Sequence, residues 1–251
     1  MGGFGDGLIV IPARYDSCRL PGKPLMNIAG KTMIRRTYER AVLSGMSAIV
    51  VTNDDRIANE CREHSIPIEM ITEPCLTGTD RVARYAQRSN KKWFINVQGD
   101  EPFANPDDIL KVAHQMEHGD HREVVNCMSL ITNPDDFWNT TIPKVIAWDG
   151  MLRYMSRAPV PYPYGPNEEL WKRSGFQQVC VYGFFKHHLK QFMQGQIKSR
   201  HEEIEDIEIL RFMEMGTPVR MLEVEGSPLH VDTPADLERA QLIAKEYDAK
   251  E

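Results

Sequence analysis

The alternation of short apolar runs with amphipathic segments constrains the fold of this chain more than any other feature. The apolar runs are 8–11, 48–52, 66–71 and 93–97, and segments with helical spacing separate them at 31–43, 54–64 and 80–88. Unbroken runs rich in β-branched residues are typical of strands buried on both faces, so this pattern predicts a largely parallel sheet covered by helices. With right-handed crossovers the prediction is a Rossmann-like, doubly wound α/β fold.

The regular alternation of strand-like and helical segments ends after a predicted helix at 106–117. Strand-like runs follow at 124–130, 144–148, 151–155 and 177–184, and then helices at 202–215 and 234–247 enclose a strand at 218–224. Asp149-Gly150 predicts a tight hairpin, and the proline-rich stretch 159–166 predicts an extended loop. We therefore expect a single domain over residues 1–251 with a mixed sheet, in which about 132–178 form a smaller β-rich portion.

Composition and charge narrow the class of protein. The net charge of −6 lacks the basic footprint that nucleic-acid binding needs, and no apolar run approaches the ~20 residues of a membrane helix. The five cysteines are odd in number and form no C-x-x-C pair, which argues against a disulfide framework and against a zinc site. We expect a cytoplasmic protein with neither a nucleic-acid partner nor a membrane association.

The segment that follows the first strand carries the strongest chemical signal. Arg14, Arg19 and Lys23 bring three cations into ten residues, and Gly22 allows the backbone to approach a ligand closely. Open α/β folds bind ligands at the carboxyl edge of the sheet, where loop amides can point at phosphate oxygens. The Walker pattern is missing, and a solvated basic loop is the plainer alternative. Its position after the first strand favours phosphate binding.

Two aspartates are candidate metal ligands. Asp100 follows the strand run 93–97, where its carboxylate would lie beside the cationic loop and hold Mg²⁺, which prefers oxygen ligands. Asp232 precedes a helix start marked by Thr233 as N-cap and Pro234 as first helical residue, and would complete the site. A turn or helix-capping acid is the alternative for each.

Two further segments are weaker signals. The small-residue loop 75–81 is suited to a base or a ribose at close range. Arg157 lies beside the proline-rich stretch and is matched to a carboxylate, which it can grip with two parallel hydrogen bonds, and Lys144 lies upstream. Either cation is equally compatible with a surface position.

Taken together, these motifs resemble the 3-deoxy-manno-octulosonate cytidylyltransferases (CMP-Kdo synthetases), in order over nearly the whole chain. The matching motifs are Pro-Ala-Arg-Tyr-x-Ser-x-Arg-Leu-Pro-Gly-Lys-Pro-Leu at 12–25, Thr-Gly-Thr-Asp-Arg at 77–81, Asn-Val-Gln-Gly-Asp-Glu-Pro at 96–102, Ser-Arg-Ala-Pro at 156–159 and Val-Asp-Thr-Pro-x-Asp-Leu at 231–237. The resemblance implies a nucleotide-diphospho-sugar transferase type of fold, a small dimerisation portion, a homodimer, and the use of CTP with Mg²⁺ on an acidic sugar.

Carried over position by position, the resemblance also implies roles for individual residues. The nucleotide would be bound by Arg14, Ser17 and Lys23 at its phosphates and by Thr79 and Arg81 at its cytidine end, with Pro12 and Ala13 as further nucleotide-binding residues. The acidic sugar would be bound by Gln98, Arg157, Gln178, Tyr182, Glu208 and Ile209, with Arg157 on its carboxylate. Asp100 and Asp232 would ligate magnesium, and the catalytic residues would be Arg14, Lys23 and Asp100.

The chain departs from the family pattern on the sugar side. The family's His-x-Gly-x-Tyr-Gly reads Gln178-Val179-Cys180-Val181-Tyr182-Gly183 here, and Leu-Glu-Gln-Leu-Arg reads Ile207-Glu208-Ile209-Leu210-Arg211. Buried polar groups reject ligands that cannot pair with them, so changing such groups is expected to change the acceptor. The acceptor is therefore expected to be Kdo or a Kdo-like acid such as 8-amino-Kdo.

The expected reaction is attack by the anomeric hydroxyl of the sugar on the α-phosphorus of CTP, with release of pyrophosphate. Both substrates are anionic, so Mg²⁺ together with Arg14 and Lys23 would offset their repulsion, and no residue stands out as a general base. Two alternatives are a metal-dependent glycosyltransferase that consumes a nucleotide sugar and a non-catalytic nucleotide-binding regulator. The first is disfavoured because Pro102 follows Asp100-Glu101 where such enzymes often carry Asp-x-Asp.

Overall fold

The computed structural model describes residues 4–16, 20–164, 175–195, 197–231 and 233–249. Its strands are β1 (Gly7–Ala13), β2 (Asn27–Ile28), β3 (Lys31–Thr32), β4 (Ala48–Thr52), β5 (Ile68–Met70), β6 (Trp93–Val97), β7 (Val124–Leu130), β8 (Lys144–Trp148), β9 (Met151–Ser156), β10 (Phe176–Phe185) and β11 (Val219–Glu223). Its α-helices are α1 (Met33–Val42), α2 (Asp55–Glu63), α3 (Gly78–Arg88), α4 (Pro106–His118), α5 (Pro134–Trp138), α6 (Lys186–Phe192), α7 (Arg200–Glu205), α8 (Ile209–Glu214) and α9 (Pro234–Asp248).

Nine of these strands form one mixed sheet, in the order β5-β4-β1-β6-β10-β7-β11-β9-β8. The four strands β5, β4, β1 and β6 run parallel to one another. Strand β10 is antiparallel to both of its central neighbours, β6 and β7, while β11 is parallel to β7. The Rossmann-like mixed α/β fold predicted from the alternating pattern is therefore confirmed.

Both faces of the sheet are buried, which explains why its first strands show no period of two in their hydrophobicity. Every residue of β1 is buried. Ile9 and Ile11 pack into the core cluster under α1, α2 and α4, whereas Leu8 and Val10 pack into the cluster under α3, α6 and α8. Alternate residues thus enter two different cores, and each position of the strand is apolar.

The predicted β-rich portion extends the main sheet. Strands β8 and β9 form a hairpin, and β8 also pairs with β10 while β9 pairs with β11. Asp149 and Gly150 at the hairpin turn have φ values of 54° and 68°, the left-handed values that a tight two-residue turn requires, so the predicted hairpin is confirmed. Residues 159–164 of the predicted loop lack helix and strand, and 165–166 lie outside the described residues.

The prediction of a single helix over 202–215 is wrong, because the structure has two helices in this segment. α7 ends at Glu205, Asp206 adopts a left-handed conformation with φ 51°, and α8 begins at Ile209. The Arg157 side chain donates hydrogen bonds to the carbonyl oxygens of Glu205 (2.6 Å) and Asp206 (3.0 Å). These contacts hold the chain in the turn, so a tertiary contact interrupts a sequence with continuous helical spacing. Helices α5 and α6 were not predicted.

Gly99, two residues after β6, packs closely against the end of β1. A Cβ atom at this position would lie 2.7 Å from the carbonyl oxygen of Pro12, which is shorter than a normal contact and involves rigid backbone. Glycine therefore allows the two strand ends to lie side by side.

We predict that Gly99→Ala lowers the free energy of unfolding by about 1–3 kcal/mol, the usual cost of overpacking. Urea denaturation monitored by circular dichroism measures this value. Gly195→Ala is the matched control, since an added Cβ there has no neighbour within 4 Å. Equal stabilities of the two variants would contradict the close approach.

Candidate active site

Two adjoining cavities open at the carboxyl edge of β1 and β6. The first, of about 270 Å³, lies among the loop after β1, the segment before α3 and the end of β6. The second, of about 290 Å³, lies among the end of β6, the α5–β8 loop, β10 and the segment before α9. Gln98, Asp100, Asp206 and Glu208 line both cavities and form their shared wall.

The first cavity is lined by cations. Arg14, Lys23, Arg81 and Lys198 all line it, together with Pro12 and Ala13 at the end of β1. Lys23 is buried on a single 3₁₀ turn that follows Gly22, whose φ of 70° is a left-handed value. Arg14 is exposed, and burial lowers the pKa of Arg81. Ser17 and Arg19 of the same loop lie outside the described residues.

An ion pair joins the cationic loop to the end of β6. The Lys23 ammonium group donates to Asp100 Oδ2 at 2.6 Å, although the two residues are 77 positions apart. The Lys23 side chain is 8% exposed and the Asp100 side chain 42%, so the carboxylate faces the cavities while the ammonium group is packed behind it. The structure thus brings the predicted metal ligand to the predicted phosphate-binding loop.

The donor set at Asp100 suits a hard cation. Its carboxylate oxygens are the ligands that Mg²⁺ prefers, and they lie in the wall that both cavities share. Asp232 lies outside the described residues. Its neighbour Val231 is buried, and Thr233 caps α9 by accepting a hydrogen bond from the backbone N–H of Asp236, so the predicted helix start is confirmed.

A carboxylate of the protein occupies the amino end of α3. Glu208 accepts hydrogen bonds from the backbone N–H groups of Gly78 (3.1 Å) and Thr79 (2.9 Å). Burial raises the pKa of Glu208, and these hydrogen bonds partly offset that rise. Because Glu208 already neutralises the positive end of this helix, the loop cations remain as the anion-binding groups of the first cavity.

Thr79 and Ile209 lie elsewhere than expected. The Thr79 side chain is 1% exposed and is packed behind the cavity wall, where its Oγ1 accepts from Asn96 Nδ2 at 3.4 Å. Ile209 is likewise 1% exposed, because the first turn of α8 directs it into the core, and the side chain that lines the second cavity is Ile207. Among the described residues, Thr79 and Ile209 line neither cavity.

Strand β10 supplies one side of the second cavity. Gln178, Cys180 and Tyr182 alternate along the strand and all line it. Gln178 is buried and donates through Nε2 to Asn126 Oδ1 at 3.0 Å, while Asn126 Nδ2 donates to the carbonyls of Val179 and Val181 across a register shift in β10. The buried amide of Gln178 is therefore held in place. Burial raises the pKa of Tyr182 well above its usual value.

Arg157 also lines the second cavity, but its guanidinium group is bonded to the backbone. It donates to the carbonyl oxygens of Thr141 (2.9 Å), Glu205 (2.6 Å) and Asp206 (3.0 Å). These contacts tie the α5–β8 loop to the turn between α7 and α8. Arg157 thus positions two segments of the cavity wall.

Several charged residues that line the cavities were missed by sequence reasoning, Asp206 and Lys198 among them. Asp206 lies in the shared wall, and Lys198 Nζ donates to its Oδ1 at 2.5 Å. The hydrogen bond from Lys198 holds the pKa of Asp206 below its usual value. No motif marks either residue, because the left-handed turn that presents Asp206 is formed by tertiary contacts.

A doubly wound sheet with a cationic loop and a carboxylate meeting at its carboxyl edge is the architecture of a nucleotidyltransferase. The comparisons agree: a family model described as cytidylyltransferase matches residues 8–221. The 3-deoxy-manno-octulosonate cytidylyltransferases of Polynucleobacter asymbioticus and Escherichia coli are 36% and 33% identical to this chain. The first alignment covers 95% of each chain, and the second covers 97% of this chain and 98% of the relative.

Comparison with solved structures supports the same family. A CMP:2-keto-3-deoxy-manno-octonic acid synthetase complexed with CTP has a TM-score of 0.85 and 32% identity, covering 96% of this chain and 99% of its own. A 4-diphosphocytidyl-2C-methyl-D-erythritol synthase from Anaerococcus prevotii, with a TM-score of 0.62, 12% identity and coverage of 96% and 98%, shares the fold alone. The chain belongs to the 3-deoxy-manno-octulosonate cytidylyltransferase family and is a CTP-dependent nucleotidyltransferase.

Helix length and polarity bear on membrane association. Among the described residues, none of the helices combines the length and the apolar character that crossing a bilayer requires.

We predict that Arg157→Lys lowers the free energy of unfolding by about 1–3 kcal/mol without any ligand, because an ammonium group cannot span the three carbonyl oxygens. Chemical denaturation of the ligand-free protein provides the measurement. Arg153→Lys on β9 is the control, since that side chain is exposed. A fully stable Arg157→Lys protein would show that the contacts to the backbone contribute nothing.

Proposed function

We propose that the protein transfers the cytidylyl group of CTP to a 3-deoxy-2-keto sugar acid, giving the CMP-sugar and pyrophosphate. The observation that carries the proposal is the Lys23–Asp100 ion pair in the wall between two cavities, in a chain of this family. The relatives named above are cytidylyltransferases of 3-deoxy-manno-octulosonate, which supports an acceptor of the Kdo class. The family match gives no support to a glycosyltransferase or to a non-catalytic regulator.

CTP would occupy the first cavity, with its phosphates against Arg14 and Lys23. The sugar acid would occupy the second cavity, so that its anomeric hydroxyl reaches the α-phosphorus across the shared wall. Lys23 is buried and already directed at Asp100, so its ammonium group needs little reorganisation to stabilise negative charge on the phosphates. Positioning of the two anionic substrates should supply most of the remaining rate acceleration.

We propose Asp100 and Asp232 as the residues that would hold Mg²⁺. When bound, the ion would supply positive charge against the triphosphate and offset the repulsion between the two substrates. Lys23 would then exchange its contact with Asp100 for a phosphate oxygen, which keeps its ammonium group paired throughout.

The charges of the second cavity favour an acceptor that carries an amino group as well as a carboxylate. Besides Asp100, Asp206 and Glu208 of the shared wall, the carboxylates of Glu101, Asp136 and Asp236 line it, against the guanidinium groups of Arg157 and Arg239. A purely anionic sugar would meet more negative charge than it can pair with. An ammonium group such as that of 8-amino-Kdo would find a carboxylate, so we propose 8-amino-Kdo as the preferred acceptor.

The test is pyrophosphate release from CTP and Mg²⁺ with Kdo, 8-amino-Kdo and related acids. We expect turnover with this class and a kcat/KM for 8-amino-Kdo about tenfold above that for Kdo, the value of one charge-assisted hydrogen bond of ~1.4 kcal/mol. Equal kcat/KM values for Kdo and 8-amino-Kdo would refute the proposed preference for an amino group. The absence of pyrophosphate release with every acid would refute the proposed function.

Asp100→Asn provides the inactive control for this assay. The amide has nearly the shape of the carboxylate but lacks its charge. The variant should therefore still fold, with a lowered thermal stability because the buried Lys23 loses its charged partner, and should lose turnover by about a hundredfold or more. Retained turnover in the folded variant would exclude Asp100 from the mechanism.

We propose that the protein is a homodimer through its β-rich portion, about residues 132–178. Large aromatic side chains of this portion are exposed, namely Trp138, Trp148, Tyr162 and Tyr164, with Trp148 76% exposed. A second copy of the chain that covered them would bury apolar surface that is otherwise solvated.

Light scattering after size exclusion tests this proposal, with an expected mass of twice that of one chain. Trp148→Glu should shift the population towards monomer, whereas Leu242→Glu on α9, also exposed at 66%, should not. A monomeric wild-type protein would refute the dimer.

A further inference from the structure

We propose that Glu101, Cys180 and His230 form a binding site for a borderline-soft divalent cation of the zinc class, separate from the magnesium site at Asp100. One ligand atom from each residue, a carboxylate oxygen, a thiol sulfur and an imidazole nitrogen, lies within 4.8 Å of the other two. This inference goes beyond the proposed function and does not depend on it.

The three side chains come from different parts of the fold and meet only in the second cavity. Glu101 follows β6, Cys180 lies in the middle of β10, and His230 precedes α9, and all three line the cavity. Glu101 is 3% exposed, whereas Cys180 and His230 are half-buried at the cavity surface. The cluster therefore has one buried ligand at its back and two at the surface of the cavity.

The donor set selects the kind of cation. Mg²⁺ takes oxygen ligands, so a site that offers one sulfur, one nitrogen and one oxygen is poorly suited to it. Zn²⁺ and Co²⁺ accept all three donor types. The three ligands found among the described residues fill three positions of a tetrahedral site, in which the fourth ligand is a further side chain, a water molecule or a substrate.

The spacing of the cluster is close to that of an occupied site. Zinc-ligand bonds of ~2.0–2.3 Å in a tetrahedron place the ligand atoms roughly 3–4 Å apart. The three ligand atoms lie within 4.8 Å of one another, so side-chain rotation can bring them to these distances. His230 Nδ1 already forms a hydrogen bond with Glu101 Oε1, and a metal ion would take the place of that hydrogen bond.

Charge balance also favours a cation here. Glu101 is a buried carboxylate with Asp100 beside it, and a buried carboxylate is stable only with a compensating partner. His230 supplies a hydrogen bond in the described structure. That pairing does not require a thiol, so Cys180 is the residue that distinguishes a metal site from a plain hydrogen bond.

Spectroscopic titration of the untagged full-length protein with Co²⁺, in a non-thiol reductant and without CTP, tests the proposal. We expect one equivalent of Co²⁺ to produce a thiolate-to-metal charge-transfer band in the near ultraviolet, and Zn²⁺ to abolish it by displacement. Excess Mg²⁺ should leave the band in place, because Mg²⁺ does not compete for sulfur.

Variants assign the ligands. Cys180→Ser should remove the charge-transfer band, and His230→Gln should weaken Co²⁺ binding at least tenfold. Cys75→Ser is the matched control, because Cys75 is also half-buried but lines the first cavity, and it should keep the band. Asp100→Asn should keep it as well. Circular dichroism of each variant without metal checks its folding.

Two results would overturn the proposal: a wild-type protein that binds Co²⁺ without a charge-transfer band, or a band that persists in folded Cys180→Ser. Neither result depends on turnover. A failed acceptor screen would therefore leave this inference standing, and a missing band would leave the proposed function standing.

Discussion

The site depends on the pairing of β1 with β6 in a parallel sheet. This pairing places the loop after β1 beside the end of β6, and the missing side chain of Gly99 lets the two segments approach within contact of the Pro12 carbonyl. Only at this distance can the buried ammonium group of Lys23 reach Asp100. A wider separation would leave Lys23 buried without this partner, which is costly, so the ion pair and the packing support each other.

The walls of the two cavities are held by charged groups that bind the protein itself. Glu208 caps α3, and Arg157 joins the α5–β8 loop to the turn after α7. Deeper in the protein, Arg211 pairs with Glu202 and Asp80 and connects α8, α7 and α3. Residues expected to contact a ligand thus also hold the walls in place. Charge-assisted hydrogen bonds to fixed partners give the cavities a defined shape before any substrate enters.

Sequence reasoning was most accurate where a local cause decides the structure. Strands β4, β6, β7 and β8 have the predicted bounds, because their apolar runs end at polar or turn residues. It was wrong where a distant contact decides, as at Asp206, whose turn is bonded to the side chain of Arg157, directly after β9. Ile209 shows the same limit, because its neighbour Ile207 has an equally apolar side chain and only the direction of α8 determines which one faces the cavity.

The amino-acid sequence by itself determined the layered α/β architecture, the cationic loop and the position of Asp100 at a strand end. These features follow from the hydrophobic pattern and from the order of residues at the end of each strand, which are local properties. Only the tertiary structure decided which side chains share a wall. Glu101, Cys180 and His230 have no spacing that marks a metal site, and the missing C-x-x-C pair argued against zinc. They meet because an antiparallel strand, β10, is inserted beside β6 and the chain before α9 returns to the same edge. Proximity of this kind depends on strand order, which no local pattern specifies.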